Sequence, residues 1–284
     1  MWRTRNEHSS RGYTLRGVSE SILVIPGSGA VTPTDRGLLY GEGVFETLHL
    51  RPSGPWLLDR HLDRLHRSAA LLELPPPPRA ELAELAGRAA RSWRDGEGAL
   101  RLIVTAGPAG GRPATYATVG PIPPAALRER HEGIRVITAD LGVRARPPWS
   151  LAAAKTLSYA ENLAARRWAV RQGADDLLWL DPDGHALEAP TASLVWLTGD
   201  TLCTVPPEPT GILPGTTAAE LLDRAPALGL RAEERMITTG GLAAADAVWL
   251  ASSLRGLAEV RTLDGAPRAG SPWTRRLLAL LGFV

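Results

Sequence analysis

The apolar and polar positions of the chain change period several times, and each change marks an element. The run Ile22-Leu23-Val24-Ile25, closed by Pro26-Gly27, predicts a short strand and a turn. Val44-Phe45-Glu46-Thr47-Leu48-His49-Leu50 alternates, the period of a strand that turns one face to a core and the other to a site. From Asp59, read as the cap, Leu62, Leu65, Ala69 and Leu72 follow a helical period until Pro75 to Pro78 end it. A second helix is predicted over 80–94 and strands over 100–106 and 134–139, with a Gly/Pro-rich stretch between the strands. The first half therefore reads as an α+β unit.

Around Arg144-Ala-Arg-Pro-Pro-Trp149 the periodicity stops, which predicts a linker at 142–150. It would separate a smaller α+β domain, 21–141, from a larger one, 151–284, with residues 1–20 a loose polar arm. In the second half a helix runs from Tyr159 to Arg171, and the strand Asp176 to Leu180 enters the turn Asp181-Pro-Asp-Gly184. Strands at 193–198 and 201–205 flank the hairpin signal Gly199-Asp200. Thr216 to Arg224 reads as a helix that stops before Pro226 and has Gly215 ahead of it, a start suited to an anion. Strands at 247–251 and 258–262 and a helix at 273–281 complete the pattern.

Composition narrows the class. With 284 residues, 44% hydrophobic and 22% charged, the chain is neither disordered nor a small stapled scaffold. A net charge of +2 gives no support for nucleic-acid binding. No apolar run reaches the roughly 18 residues of a membrane span. The first twenty residues are polar, so a soluble cytoplasmic protein is expected. The single cysteine, Cys203, has no partner for a disulfide, and no histidine pair has metal-ligand spacing. His61 and His66 do not share a helix face and read as packing or surface residues. Gly27-Ser-Gly29 lacks the third glycine of a dinucleotide fingerprint and reads as a plain turn. Ala152-Ala-Ala-Lys155 lacks the serine of a serine–lysine nucleophile pair.

Lys155 still stands out. Of the 32 basic residues it is the one lysine, and the remaining 31 are arginines. Arginine keeps its proton near neutral pH, whereas lysine can be tuned to a neutral nucleophile that forms a Schiff base with a carbonyl.

Six blocks in order carry a family resemblance: Asp35-Arg-Gly-Leu-Leu-Tyr40-Gly-Glu-Gly-Val-Phe-Glu-Thr47, His61-Leu-Asp-Arg64-Leu65, Lys155-Thr-Leu-Ser-Tyr159, Glu188, Gly211-Ile-Leu-Pro-Gly-Thr-Thr217 and Ser252-Ser-Leu-Arg-Gly256. Together they resemble the class IV pyridoxal-phosphate enzymes, which include branched-chain and D-amino-acid aminotransferases and aminodeoxychorismate lyase. The resemblance implies a two-domain α+β fold of type IV, with pyridoxal 5'-phosphate in the interdomain cleft and a homodimer whose partner contributes to the pocket. It makes Lys155 the Schiff-base lysine and the base that moves the Cα proton, Glu188 the partner of the pyridine nitrogen, and Tyr159 that of the ring hydroxyl. Arg64, Thr216, Thr217 and Ser253 are implied as the phosphate site, and Tyr40, Arg101 and Arg255 as substrate contacts.

Ser252-Ser-Leu-Arg-Gly256, Arg101-Leu-Ile-Val-Thr-Ala-Gly107 and Gly110-Gly-Arg112 are similar to lyase-like members of the family. The implied activity is elimination of pyruvate from aminodeoxychorismate to give 4-aminobenzoate, a folate precursor. The alternative is an aminotransferase acting on branched-chain or D-amino acids with a 2-oxo acid acceptor. A non-catalytic cofactor-binding relative would have lost Lys155 or Glu188, and both are present. The substrate implied is a small anionic amino compound, with no metal, nucleic acid or membrane partner.

Overall fold

In the computed structural model, which describes residues 13–14, 22–142, 147 and 149–284, the alternating run at 44–50 lies within the strand on which both halves of the chain converge. The arm expected at 1–20 lies outside the described residues apart from Tyr13–Thr14, and so does much of the linker expected at 142–150.

The first sheet is formed by β1 (Tyr13–Thr14), β2 (Leu23–Pro26), β3 (Gly43–Arg51), β4 (Gly54–Pro55), β5 (Gly98–Thr105) and β6 (Ala114–Gly120) in the order β1-β2-β6-β5-β3-β4. Every pairing in it is antiparallel. Helices α1 (Arg36–Tyr40), α2 (Leu58–Leu71) and α3 (Arg79–Ser92) accompany it. Val44, Leu48 and Leu50 of β3 pack with Leu62 and Leu65 of α2 and Leu82 and Leu85 of α3, as the alternation requires. The opposite parity, Phe45 and Thr47, faces a cavity.

Two expectations are corrected here. Asp59 is not the cap of α2: the helix begins at Leu58, Leu57 before it has φ 56°, and no side chain caps the first turn. Asp59 stands inside that turn and pairs with Arg79 at 2.7 Å. β6 occupies part of the interval read as a Gly/Pro-rich separator, because Ala114–Gly120 is covered by β2 on one edge and β5 on the other.

The second sheet has nine strands. They are β7 (Ile134–Asp140), β8 (Asp176–Leu180), β9 (Glu188–Ala189), β10 (Ala192–Thr198), β11 (Thr201–Thr204), β12 (Arg231–Glu234), β13 (Ala247–Ser252), β14 (Gly256–Leu263) and β15 (Ala266–Pro267). Their order is β12-β11-β10-β13-β14-β7-β8, with β9 on β10 and β15 on β14. The helices are α4 (Pro124–Glu132), α5 (Ala160–Arg171), α6 (Pro207–Thr210), α7 (Thr216–Arg224), α8 (Thr239–Ala244) and α9 (Trp273–Leu280). Both faces are apolar. Leu194, Trp196, Val248 and Leu250 lie on one; Val195, Leu197 and Trp249 lie on the other, against Leu221 of α7 and Leu277 of α9. The strand at 134–139, read with the first half, pairs in parallel with β14 and β8, so the chain changes sheet between β6 and β7. Among the described residues no helix is long and apolar enough to cross a membrane.

After β7 the chain returns to β3. The Phe45 N–H donates to the Lys155 carbonyl at 3.0 Å, and the Leu157 N–H to the Gly43 carbonyl at 2.9 Å. Ser68 Oγ of α2 accepts from the Lys155 N–H at 3.0 Å. The approach needs a glycine: a Cβ on Gly43 would lie 2.5 Å from the Val104 carbonyl oxygen and 2.7 Å from Leu157 Cδ1. Gly43→Ala is expected to destabilise the protein by about 2 kcal/mol through overpacking, measured by denaturant unfolding. An unchanged midpoint would contradict this packing.

Candidate active site

The cavity beside β3 has a volume of about 660 Å³ and is lined from both halves of the chain, by Phe45 and Arg101 on one side and Glu188, Thr216 and Ser253 on the other. Its geometry depends on a carboxylate that faces the core. Glu46 shares its parity on β3 with Val44 and Leu48 and is fully buried. Arg64 of α2 donates to it through Nε and Nη2, both at 2.7 Å, and His61 one turn earlier donates from Nδ1 at 2.6 Å. Burial alone would raise the Glu46 carboxyl, but the Arg64 guanidinium and the His61 hydrogen bond outweigh it and hold it down at about 2. Burial, more than the neighbouring cations, keeps the His61 pKa below its ordinary value, so the ring is neutral with its hydrogen on Nδ1.

This network reaches the cavity. Arg64 Nη1 donates to the Pro214 carbonyl at 2.9 Å, in the loop that leads into α7. Gly215 is the N-cap of α7, and a Cβ there would fall 2.0 Å from Ser193 Oγ. Thr216 and Thr217 fill the first two positions of the helix, where N–H groups have no partner within the helix. Thr216 Oγ1 lies 3.5 Å from His61 Nε2, and Ser253 Oγ, in the turn between β13 and β14, lies 3.3 Å from the same nitrogen. A neutral imidazole nitrogen has one lone pair, so only one hydroxyl donates to it at a time and the other keeps its hydrogen for the cavity.

Lys155 Nζ stands 4.7 Å from the Phe45 ring centroid and 5.4 Å from that of Tyr159. Burial, then the Arg64 charge, pushes its pKa down to about 8, against the pull of Glu46 and Glu188. Tyr159, the residue before α5, donates its hydroxyl to the Pro190 carbonyl at 3.1 Å, and burial with the Glu188 charge pushes its pKa up to about 12. Glu188 lies on β9, buried, and accepts the Leu213 N–H at 3.2 Å.

The sequence-derived residues do not all converge. Lys155, Arg64, Tyr159, Glu188, Thr216, Thr217 and Ser253 line the cavity together. Arg101 lines it from β5, its guanidinium 5.8 Å from the Phe45 ring centroid, and among the described residues no carboxylate lies within ion-pair distance of it. Arg255 reaches the cavity wall but is buried and already compensated, 3.1 Å from Asp176 and 3.2 Å from Glu129. Its charge is met within the protein, and its side chain lines the cavity where a substrate contact is expected. Tyr40 is not brought to the cavity of its own chain. It ends the five-residue helix α1, is 65% exposed, and lies under the Arg36 guanidinium. His61, read as a packing or surface residue, is buried, and with Glu46 it supports the cavity wall from behind through contacts that the sequence reading did not foresee. The available signal was an acid on the inward parity of a strand.

The family model for amino-transferase class IV matches residues 43–263, and the chain belongs to that family. Its enzymes depend on pyridoxal 5'-phosphate. A bifunctional aminodeoxychorismate lyase / D-amino acid transaminase of Mycobacterium tuberculosis is 38% identical over 86% of this chain and 89% of its own length. An aminodeoxychorismate lyase of Bacillus subtilis is 28% identical over 79% of this chain and 78% of its own. A solved structure, a hypothetical aminotransferase from Mycobacterium tuberculosis in PLP-bound form, superposes with a TM-score of 0.86 at 36% identity, covering 93% of this chain and 97% of that one. The fold is that of the type IV aminotransferases.

The Glu46 network makes a pH-dependent prediction. A carboxyl lowered from 4.5 to about 2 on folding contributes stability that is fully present above 4.5 and is lost as pH falls through about 2. Glu46→Gln is therefore expected to be less stable at neutral pH by about 3 kcal/mol. The gap to the parent should narrow as pH falls from 4.5 toward 2, measured by denaturant midpoints across that range. A gap independent of pH would show that the ion pair does not hold the carboxyl down.

Proposed function

We propose that this enzyme is a 4-amino-4-deoxychorismate lyase, releasing pyruvate and 4-aminobenzoate. The carrying observation is Arg101, an exposed cation on the cavity wall with no carboxylate of the described chain within ion-pair distance, in the same cavity as a lysine of lowered pKa. Such an arginine suits an anionic substrate, and aminodeoxychorismate carries two carboxylates. The Ser252–Gly256 block and the names of the two relatives support the same reading.

The donor set fits the cofactor. Thr216, Thr217, Ser253 and the first-turn N–H groups of α7 offer donors to a phosphate, with the Arg64 guanidinium beside them. Glu188 would offer a carboxylate to the ring nitrogen and keep it protonated, and Tyr159 would offer its hydroxyl to the ring oxygen in place of the Pro190 carbonyl to which it now donates. When bound, the cofactor supplies an electron sink for the charge left on the substrate carbon. With a pKa lowered to about 8, Lys155 is neutral in roughly a tenth of molecules at pH 7, far more than an ordinary lysine, and acts as both nucleophile and base. Its Nζ takes the proton from the carbon that bears the substrate nitrogen. The C–O bond from the ring to the enolpyruvyl group then breaks with its electron pair going to oxygen, the ring becomes aromatic, and a proton, matching the one removed, converts the released enolpyruvate to pyruvate at its methylene carbon. Arg101 orients a carboxylate so that this carbon meets Lys155.

A second reading uses the same first step. The Mycobacterium tuberculosis relative is named for both a lyase and a D-amino acid transaminase, which favours conversion of amino acids to 2-oxo acids at the same cavity. The chain works as a homodimer in this proposal. Leu38, Leu39 and Tyr40 on α1, exposed at 65%, 53% and 65%, form an apolar surface that a second copy would cover.

The protein should release 4-aminobenzoate and pyruvate from aminodeoxychorismate. If only D- or branched-chain amino acids with 2-oxoglutarate give product, the lyase reading fails and the transaminase reading stands. Arg101→Leu is expected to raise KM for the anionic substrate about tenfold, the loss of one charge-assisted contact. An unchanged KM would remove Arg101 from the substrate site. Lys155→Arg should fold, as circular dichroism can verify, and lose turnover by roughly 10²-fold to 10⁴-fold or more, the contribution of a positioned base. A folded variant with full turnover would return the lone lysine to compositional chance.

A further inference from the structure

The end of the chain meets the site from behind. After α9, Gly282 turns the backbone with φ +73° and returns Phe283, buried, beneath β3. The Phe283 ring stacks on His49 at 5.0 Å and stands edge-on to Trp56 at 5.1 Å. The guanidinium groups of Arg51 and Arg130 lie 4.7 Å and 4.6 Å from its centroid. On its remaining side is Gly256, which has φ +66° and where a Cβ would fall 2.9 Å from the ring. The phenyl group is thus wedged between the first sheet and the turn that joins β13 to β14.

Arg130 connects this wedge to the site. It lies in the last turn of α4, is buried, and donates Nε to the Arg255 carbonyl at 3.0 Å and Nη2 to the Leu254 carbonyl at 2.6 Å. These are successive carbonyls of the three-residue turn Ser253–Arg255, closed by the strand pair Ser252 and Gly256. Among the described residues no carboxylate lies within ion-pair distance of Arg130, so its charge is met by carbonyl dipoles and a ring face. A planar fork on two adjacent carbonyls fixes both the position and the tilt of a turn, which a single donor cannot do. The turn carries Ser253 on its cavity side, with Oγ 3.3 Å from His61 Nε2.

We propose that Arg130, held against Phe283, is a positioning residue that sets the β13–β14 turn so that the Ser253 hydroxyl meets the cofactor phosphate. The inference rests on the reading of Ser253 as part of the phosphate site. Neither Arg130 nor Phe283 lines the cavity; Arg130 reaches it through its two bonds to the turn, and its neighbour Glu129 lines it from α4.

A double-mutant cycle on pyridoxal phosphate affinity tests this. Cofactor-free protein is titrated with pyridoxal phosphate by absorbance, using the parent, Ser253→Ala, Arg130→Met and the double variant, with pyridoxal lacking the phosphate as the control ligand. Each single variant is expected to weaken pyridoxal phosphate binding about tenfold while pyridoxal binding changes little. The double variant should also be weakened about tenfold, because once the turn is released Ser253 has no contact left to lose. Independent losses, giving about hundredfold in the double variant, would overturn the positioning role while leaving Ser253 in the phosphate site. No loss in Ser253→Ala would overturn the phosphate reading and the proposal with it. Equal weakening of pyridoxal and pyridoxal phosphate would show general damage instead. If Arg130→Met does not fold, Arg130→Lys, which keeps the charge without the fork, and Phe283→Leu replace it in the cycle under the same criterion.

Discussion

The buried contact between Glu46 and Arg64 is the constraint on which the site depends. A carboxylate on the core face of a strand costs several kcal/mol unless it is paired and fully hydrogen-bonded. Here the pairing uses two arms of one guanidinium and an imidazole from the same helix face, so α2 can sit on β3 in one register only. Arg64 has a third arm, which takes the Pro214 carbonyl and places the start of α7 relative to the first sheet. The second nitrogen of His61 meets hydroxyls from α7 and from the β13–β14 turn. One carboxylate therefore aligns elements from both sheets around a single cavity wall.

β3 serves this site in three ways at once. Its inward parity carries Glu46, its outward parity places Phe45 and Thr47 on the cavity, and its edge at Gly43 to Phe45 takes the Lys155 segment in short antiparallel pairing. Because the lysine is bound through its own backbone N–H and carbonyl, its amine is held without a side-chain tether and stays free for chemistry. The rings of Phe45 and Tyr159, packed edge-on to each other, cover one side of it. Desolvation by these neighbours, added to the nearby Arg64 charge, lowers the amine toward neutral pH.

Most of the longer strands were legible from apolar runs bounded by turns, with alternation at 44–50, and Lys155 from its isolation among arginines, because these are local properties of the chain. Pairings across long sequence distances were not. His61 was tested against other histidines at helical spacing, whereas its partners are Glu46 on a distant strand and hydroxyls from the far half. Asp59 has the residue type of a cap, yet Arg79 claims its carboxylate and Leu57 turns the chain into the helix instead. β6 is short and rich in alanine and threonine, so its strand character comes from the neighbours on both edges. Nothing local to Arg255 announces Asp176 and Glu129, the distant carboxylates that meet its charge at the cavity wall.

The same reasoning sorts the cavity's cations into kinds. Arginine cannot shed its proton, so an arginine beside a partly desolvated cavity is either compensated by the protein or open to an anion from outside. Arg64 has Glu46; Arg255 has Asp176 and Glu129; Arg166 lies 3.5 Å from Glu129 and 3.6 Å from Asp176. Their charges are met within the protein, that of Arg64 beside the start of α7, and their abundance follows from an arginine-rich composition. Arg101 and Lys155 differ from them and from each other. Arg101 keeps a fixed charge that no described carboxylate meets, which is a binding property, whereas Lys155 can exchange its charge for a lone pair, which is a chemical one. A site that must hold an anion and also move a proton needs one cation of each kind, and in this chain only Lys155 can be the second.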